Sequence, residues 1–181
     1  MEIPSNTPMM PSASKNGFLI GLSLIGLQLI IQYFLSENQA LQMLLTLLIM
    51  ISGLQLSIVN YRDKFNGGNI SYGRSVRYGA LVALLSGVIL AAFVYILLQY
   101  IEPTLMDKLI IASEENIEKT VKNQAEQEKM LELNRAIMNP GTIALGSVIN
   151  NLIFGVLLSL IIGIFTKRQS MPNESQQENS Y

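Results

Sequence analysis

The 181-residue chain contains no cysteine and no histidine, which limits the chemistry available to it. Without cysteine it can form no disulfide bond, and the sequence gives no indication of the redox compartment. Without histidine it lacks the most common metal ligand and the usual general base at neutral pH. The usual nucleophile–base pairs therefore cannot be assembled from its residues. We expect no catalytic residues, no metal and no cofactor, and hence no enzyme.

Charged residues are also scarce: they make up 14% of the chain, against about 25% in soluble domains, and the mean hydropathy is +0.37. Four stretches contain no charged residue at all, namely 18–35, 40–61, 78–101 and 141–166. Spanning a bilayer takes about 20 apolar residues in a helix. Helices of a soluble bundle are shorter and carry a polar face, which these stretches lack. In the strands of a membrane barrel apolar and polar residues alternate with period two, and these stretches show no such alternation. The sequence therefore predicts an all-α, polytopic membrane protein with four transmembrane helices.

The predicted layout has disordered tails on both sides of one membrane domain. The tails are 1–14 and 169–181; the membrane domain is 15–168, with spans near 18–35, 40–60, 78–101 and 142–165, an inner loop 61–77 and an outer loop 102–140. No small-residue cleavage pattern follows the first span, so we expect that span to be retained.

The outer loop 102–140 has a helix-forming composition and is the only sizeable extramembrane part of this layout. One continuous helix would be about 50 Å long, yet the chain must re-enter the membrane near its exit. Either a two-helix hairpin that folds near Asn123-Gln124 or one bent helix on the surface meets this condition, and we favour the hairpin. Its inner faces are expected to come from Leu109, Ile110, Ile117, Val121, Leu131 and Leu133.

The distribution of basic residues predicts the orientation. Seven of them fall on one side of the four spans: Lys15, Arg62, Lys64, Arg74, Arg77, Lys167 and Arg168. Because basic residues near span ends mark the cytoplasmic side, we expect both termini in the cytoplasm and loop 102–140 outside, across the inner membrane of a bacterial cell. The aromatic residues at the inner ends of the spans are consistent with this layout, and we expect Phe18, Tyr61, Tyr78 and Phe165 to form an interfacial belt there.

Two groups of residues are candidates for specific contacts. Arg62, Lys64, Arg74 and Arg77 either hold an anionic lipid headgroup or a partner, or only determine topology. Small residues at four-residue spacing predict close packing of the third and fourth spans, with Asn151 bonding inward. These rows are Gly79, Ala83, Gly87 and Ala91 in the third span, and Ser147, Asn151, Gly155, Ser159 and Gly163 in the fourth.

The spans contain amide side chains but no ionisable group. These amides either line a polar path or form hydrogen bonds between helices, and the second interpretation is the more common in membrane proteins. They are Gln28, Gln32, Gln42, Gln55, Gln99, Asn150 and Asn151.

A family resemblance rests on motifs around the inner loop and the end of the third span. These are Tyr61-Arg62-Asp63-Lys64, Gly67-Gly68-Asn69-Ile70-Ser71-Tyr72-Gly73, Gly79, and Tyr100-Ile101-Glu102-Pro103. In this order and spacing the chain resembles, roughly over 14–168, the bacterial membrane family called "domain of unknown function 4199". The resemblance implies the four-span layout and an uncharacterised membrane protein. It implies no catalytic or ligand-binding residues.

Three functional hypotheses follow. The one we favour is a non-enzymatic membrane module that binds a protein partner or lipid, as a scaffold, assembly factor or accessory subunit. The alternative is a subunit of a small oligomeric transporter or channel, and a membrane enzyme ranks last. The expected partners are the lipid bilayer, anionic lipids at the inner surface, and a protein partner at loop 102–140 or a second copy of the chain. No nucleic acid is expected.

Overall fold

A computed structural model describes residues 9–34 and 38–167, with the backbone alone at Tyr33, Phe34 and Gln39. Over these residues the chain forms six helices, and the third ends in a π-helical turn at Leu97–Ile101. The helices are α1 (Met9–Phe34), α2 (Gln39–Phe65), α3 (Tyr72–Ile96), α4 (Thr104–Thr120), α5 (Gln124–Ile137) and α6 (Pro140–Thr166).

Four helical segments are long and apolar enough to cross a membrane: Met9–Gln32, Ala40–Phe65, Tyr72–Ile101 and Pro140–Thr166. The remaining two helices, α4 and α5, form the insertion between the third and fourth segments. The predicted fold class, an all-α polytopic membrane protein with a helical insertion, is therefore confirmed. We call the end of the bundle where α2 connects to α3 the basic end, and the end that carries α4 and α5 the hairpin end.

The first helix corrects the predicted N-terminal tail. Disorder over 1–14 is wrong for residues 9–14, because α1 begins at Met9. Pro11 is tolerated there since the first turn of a helix has no intrahelical partners for its N–H groups. Ala13 is fully buried, so tertiary packing orders a segment whose composition resembles a tail. Residues 1–8 and the predicted tail 169–181 lie outside the described residues.

The predicted inner loop 61–77 is also mostly helical. α2 continues to Phe65 and α3 begins at Tyr72, which leaves a short connection between them. Gly67 and Gly68 have φ angles of 56° and 81° in this connection, a conformation that glycine adopts without a steric penalty. α2 and α3 extend beyond the spans predicted at 40–60 and 78–101, because a helix can continue into charged residues once it leaves the hydrocarbon.

Side-chain caps fix where several helices begin. Asn38 accepts a hydrogen bond from the Leu41 N–H group at 3.1 Å and so starts α2. Asn139 and Thr142 form a reciprocal capping box at the start of α6, where Pro140 occupies the first helical turn. Asn139 and Pro140 therefore start α6.

α3 is the centre of the bundle. Its most extensive contacts are with α6 and α1, whereas α2 makes fewer contacts with each of its neighbours. The core consists of buried side chains from all four spanning helices, including Leu24, Leu54, Val82 and Ile162. Gly17 lets α1 approach α3 closely, because a Cβ atom there would lie 2.8 Å from the Cβ atom of Leu85. α1 and α6 thus pack tightly on α3, and α2 contacts each of these three helices less extensively.

Candidate functional site

The two rows of small residues meet at the contact between α3 and α6. Gly79 lies against Ser159, Ala83 against Gly155, and a Cβ atom on Gly87 would lie 3.1 Å from the Cβ atom of Asn151. Ala91 is buried further along the same face, whereas Ser147 is half-buried and bonds to its own helix. The next residue of the α6 row, Gly163, lies against the ring of Tyr72. The antiparallel helices α3 and α6 thus approach closely here with mostly small side chains between them, and we call this contact the seam.

Asn151 forms hydrogen bonds across the seam. Its Nδ2 atom donates to the carbonyl oxygen of Ala83 at 2.7 Å and to the Oγ atom of Ser86 at 2.9 Å. Both partners are buried in α3. An amide at this depth has no water to bond with, so these interhelical bonds remove the cost of placing it there.

The four basic residues proposed as a lipid site occupy different environments. Arg62 is 9% exposed, donates to the carboxylate of Asp63 at 2.7 Å and reaches the carbonyl oxygen of Thr166 at 3.3 Å. Carbonyl groups at a helix C-terminus lack intrahelical partners and carry partial negative charge, so a guanidinium group stabilises the end of α6. Arg62 therefore ties α2 to α6. Lys64 and Arg77 are exposed, and Arg74 is half-buried.

Two of the aromatic residues assigned to an interfacial belt lie inside the bundle instead. Tyr61 and Tyr78 are fully buried, and their rings stack with centroids 4.1 Å apart. The hydroxyl group of Tyr78 is hydrogen-bonded to Ser12 and to Asn16, both at 2.8 Å. These contacts hold the first turns of α1 against α3 and explain why α1 begins early. Sequence reasoning missed them because the partners lie far apart in the chain.

Glycines in α1 supply a further contact that sequence reasoning missed. Gly17 and Gly21 are buried against α3, and a Cβ atom on Gly21 would lie 3.0 Å from the side chain of Ile89. Their four-residue spacing is the same signal that identified the seam. It therefore could have identified the α1–α3 contact as well.

The insertion between the third and fourth spans is a hairpin of α4 and α5. Its helices are joined by 121–123 and linked by a 2.9 Å hydrogen bond from Ser113 to Asn134. A 2.6 Å ion pair joins Arg135 to Glu114 and lowers the pKa of the Glu114 carboxyl group below its ordinary value. Leu109 and Leu133, which were predicted to face inward, are instead exposed. Both lie beside the contact between α4 and α5, and the spacing of apolar residues in the sequence does not distinguish such flanking positions from central ones.

Within the described part of the chain, no group of three or more acidic, His or Cys side chains could hold a metal ion. The residues with specific contacts therefore define a helical membrane bundle with a polar seam, a basic end and an extramembrane hairpin.

Residues 15–168 match the model of the family described as "Protein of unknown function (DUF4199)", and the chain belongs to this family. The matched range includes all of α2 to α6 and most of α1. The resemblance seen in the sequence is thus confirmed. No curated protein and no solved structure matches the chain.

Proposed function

We propose that this protein is a non-enzymatic membrane module whose hairpin docks a protein partner, so that it acts as a scaffold, assembly factor or accessory subunit. The observation that carries this proposal is a set of exposed apolar side chains on the hairpin, outside the four spans. Leu109, Met130, Leu133 and Ile137 are 41%, 43%, 60% and 53% exposed, respectively. We call these four residues the hairpin face.

The hairpin face lies on one side of the hairpin. At 3.6 residues per turn, Leu133 and Ile137 lie about 160° around α5 from Arg135, and Leu109 lies about 140° around α4 from Glu114. The ion pair between Glu114 and Arg135 joins the two helices on the side of the hairpin opposite to these apolar residues. Residues on both helices that point away from this pair therefore share a single surface, which is typical of an interaction site.

Charge supports a protein partner over a lipid surface. Acidic residues outnumber basic ones between 102 and 140, and Glu126 lies on the same side of α5 as Met130. Helices that lie on membranes carry Lys and Arg on their polar face and are attracted to anionic lipids. The acidic hairpin lacks that attraction. The partner we propose therefore presents an apolar patch bordered by basic residues.

Site-specific photo-crosslinking in native membranes tests the proposal. A benzophenone amino acid at Leu133 or Ile137 is expected to crosslink to one discrete protein, with Lys or Arg in the captured peptide. Glu128 and Glu132, exposed on the other side of the same helix, serve as matched control positions. The double substitution Leu133→Glu and Ile137→Glu should abolish co-purification of that protein and leave the thermal stability of the bundle unchanged. Adducts to lipid alone, or equal adducts at the control positions, would exclude the hairpin face as a docking site.

We also propose that the protein lies in the cytoplasmic membrane of a bacterial cell with both termini in the cytoplasm. The support is the concentration of basic residues at one end of the bundle, because such residues mark the cytoplasmic side. Since the chain has no native cysteine, single cysteines report topology cleanly. A cysteine at the exposed Glu115 should react with an impermeant maleimide in intact cells, and one at the exposed Ser71 only after permeabilisation. The reverse labelling would invert the orientation.

At the basic end, we propose that Lys64, Arg74 and Arg77 attract anionic lipids, whereas Arg62 serves the contact with α6. Each base near a membrane surface contributes about 1 kcal/mol to such attraction. Lys64→Gln with Arg77→Gln should reduce co-purified phosphatidylglycerol, and Lys119→Gln with Lys129→Gln on the hairpin should not. Unchanged lipid retention in the first pair would exclude the lipid site.

The second candidate function is a subunit of an oligomeric transporter or channel. It is favoured by one observation: Gln28, Gln55 and Asn150 are exposed on the bundle surface within the spans. Several copies could join such amides around a polar path. Flux of small uncharged or ionic tracers into vesicles with reconstituted protein tests this function, and tight vesicles at every protein density would exclude it.

A further inference from the structure

A cleft with a cavity volume of about 390 Å³ lies between α1, α2 and α6, towards the hairpin end of the bundle. It exists because α2 makes fewer contacts with its neighbours than α1 and α6 make with α3. Its size is in the range of small-molecule sites in proteins. Met43, Leu47 and Phe154 line its rim and are exposed, so the cleft opens to the surface of the bundle that faces lipid.

The polar part of the lining comes from amides on three different helices. Gln28 belongs to α1, Gln42 to α2, and Asn150 and Asn151 to α6. Along the helix axes, Gln28 lies about 9 Å from the end of α1 at Phe34, and Asn150 lies about 15 Å from the start of α6. Gln28 and Asn150 are therefore at the depth of the hydrocarbon core and below the phospholipid headgroups.

Two of these amides have no partner within the part of the chain that the structure describes. Asn151 bonds across the seam, but neither Gln28 nor Asn150 forms a hydrogen bond there. In hydrocarbon no water replaces such a partner, and an unsatisfied amide is costly. A bound molecule with oxygen atoms at this depth would remove that cost.

The chemistry of the lining restricts the occupant. An amide offers both donors and acceptors, so hydroxyl and carbonyl groups can both pair with it. The lining contains no ionisable side chain, and an ionised headgroup would lose its hydration without gaining a counter-charge. The apolar rim suits a hydrocarbon chain. We propose that the cleft binds an uncharged amphiphile, with a small head that carries hydroxyl or carbonyl oxygens and a long hydrocarbon tail.

A second cleft of about 420 Å³, between α1 and α2 towards the basic end, differs in the state of its polar groups. The hydroxyl groups of Ser23, Ser52 and Ser57 each donate to a carbonyl oxygen of their own helix. Asn16 is bonded to Tyr78. The remaining amide of this cleft, Asn60, is exposed and lies next to the charged residues that end α2 at the basic end, so it is not placed in hydrocarbon. The proposal therefore concerns the first cleft alone.

Photolabelling in nanodiscs tests the proposal. The probe is a diacylglycerol with a diazirine on one acyl chain, in phosphatidylcholine discs that hold the full chain. Labelling is expected at peptides of α1, α2 and α6 that line the cleft. The double substitution Gln28→Leu and Asn150→Leu should reduce it about tenfold, as expected for two lost hydrogen bonds. Gln55→Leu is the matched control, because Gln55 is an exposed amide of α2 outside both clefts.

Competition between the probe and unlabelled amphiphiles identifies the chemical class of the head group that the cleft binds. Excess dioleoylglycerol should displace the probe if the natural ligand is an acylglycerol, and a decyl-substituted benzoquinone should displace it if the ligand is a quinone. Either result supports the proposal, whereas equal competition by phosphatidylglycerol would overturn it. Unchanged labelling in the double variant, or an equal loss with Gln55→Leu, would also overturn it. So would a change from oligomer to monomer in the double variant, because a second copy would then fill the cleft.

Two further readouts separate this proposal from a folding defect and from the proposed function. The double variant should be at least as heat-stable as the natural chain, because it removes two unpartnered amides. Loss of labelling with a lowered melting temperature would indicate misfolding and count against the cleft. Crosslinking at the hairpin face is measured on the same variant and should be unaffected.

Discussion

The Nδ2 atom of Asn151 in α6 lies 2.7 Å from the carbonyl oxygen of Ala83 in α3. This bond joins the two central helices at membrane depth, between Gly87 and Gly155, which leave room for the helices to approach. Between helices in lipid the hydrophobic effect supplies little attraction, so close packing and hydrogen bonds must hold the bundle together. The seam combines both, and its residues are the first to test.

Glycine substitutions test the packing of the seam. A Cβ atom on Gly155 would overlap that of Ala83, and one on Gly87 would approach Asn151 within 3.1 Å. Gly155→Leu and Gly87→Leu should each separate the helices and lower stability by about 1–3 kcal/mol, the usual cost of overpacking. Thermal unfolding in detergent measures the loss as a fall of several degrees in Tm. Val88→Leu is the control, because Val88 is exposed beside Gly87, and equal sensitivity there would contradict the seam.

A second prediction isolates the hydrogen bonds of Asn151. Asn151→Leu keeps a similar shape but loses both bonds, and should cost about 0.6–2 kcal/mol. Ser86 still donates to Ala83 at 3.0 Å, which limits the loss. Asn150→Leu is the matched control, since the amide of Asn150 is next to Asn151 in the chain but is exposed and has no partner in the described residues. Tm should fall for Asn151→Leu and not for Asn150→Leu.

The hydroxyl group of Tyr78 is the basis of a third prediction. Tyr78→Phe keeps the stack on Tyr61 but leaves Ser12 and Asn16 without their partner, at a cost of about 1–2 kcal/mol. The first turns of α1 should loosen, so amide hydrogen exchange over residues 9–16 should accelerate while exchange in the rest of α1 stays slow. Tyr72→Phe is the control, because Tyr72 is partly exposed near Gly163. Equal exchange in both variants would show that this contact does not order α1.

The features that could be predicted from the sequence are those that depend on the local environment of each residue. A long stretch without charged residues directly indicates a helix that lies in the hydrocarbon core of the membrane. The four spans were therefore predictable. Four-residue spacing of small side chains indicated which faces of α3 and α6 the structure brings together, because that spacing places residues on one side of a helix.

Features that depend on distant partners were not predictable. In the sequence, Arg62 indicates only the orientation of the chain in the membrane. In the structure it donates a hydrogen bond to the carbonyl oxygen of Thr166, and no sequence pattern identifies a backbone atom as a partner. Met9–Phe34 begins early because Tyr78 of another helix holds it, although its first residues have the composition of a tail. In the hairpin, apolar periodicity identifies a broad stripe. It does not show that α4 covers only part of the stripe and leaves Leu133 exposed.

The ion pair between Glu114 and Arg135 leads to the last prediction, a pH dependence of the hairpin. The hydrogen bond from Arg135 lowers the pKa of the Glu114 carboxyl group below its ordinary value of 4.5, and the charge of Arg135 acts in the same direction. A carboxyl group whose pKa is lower in the folded state stabilises that state above its ordinary pKa. This contribution is lost as the pH falls through the lowered pKa. The hairpin should therefore be closed near neutral pH and loosen under strongly acidic conditions.

Spin labels on cysteines at Asn116 and Glu132, both exposed, measure the separation of α4 and α5 in the full-length protein. The distance distribution should broaden as the pH is lowered from 7 to about 3. Glu114→Gln should give a broad distribution at both pH values, because the amide cannot pair with Arg135 as a charge. Glu115→Gln is the matched control: it removes the pair with Lys119, in which both side chains are more than half exposed, and exposed pairs contribute little. The control should retain the acid transition of the natural chain, and its loss there would mean that other carboxylates open the hairpin.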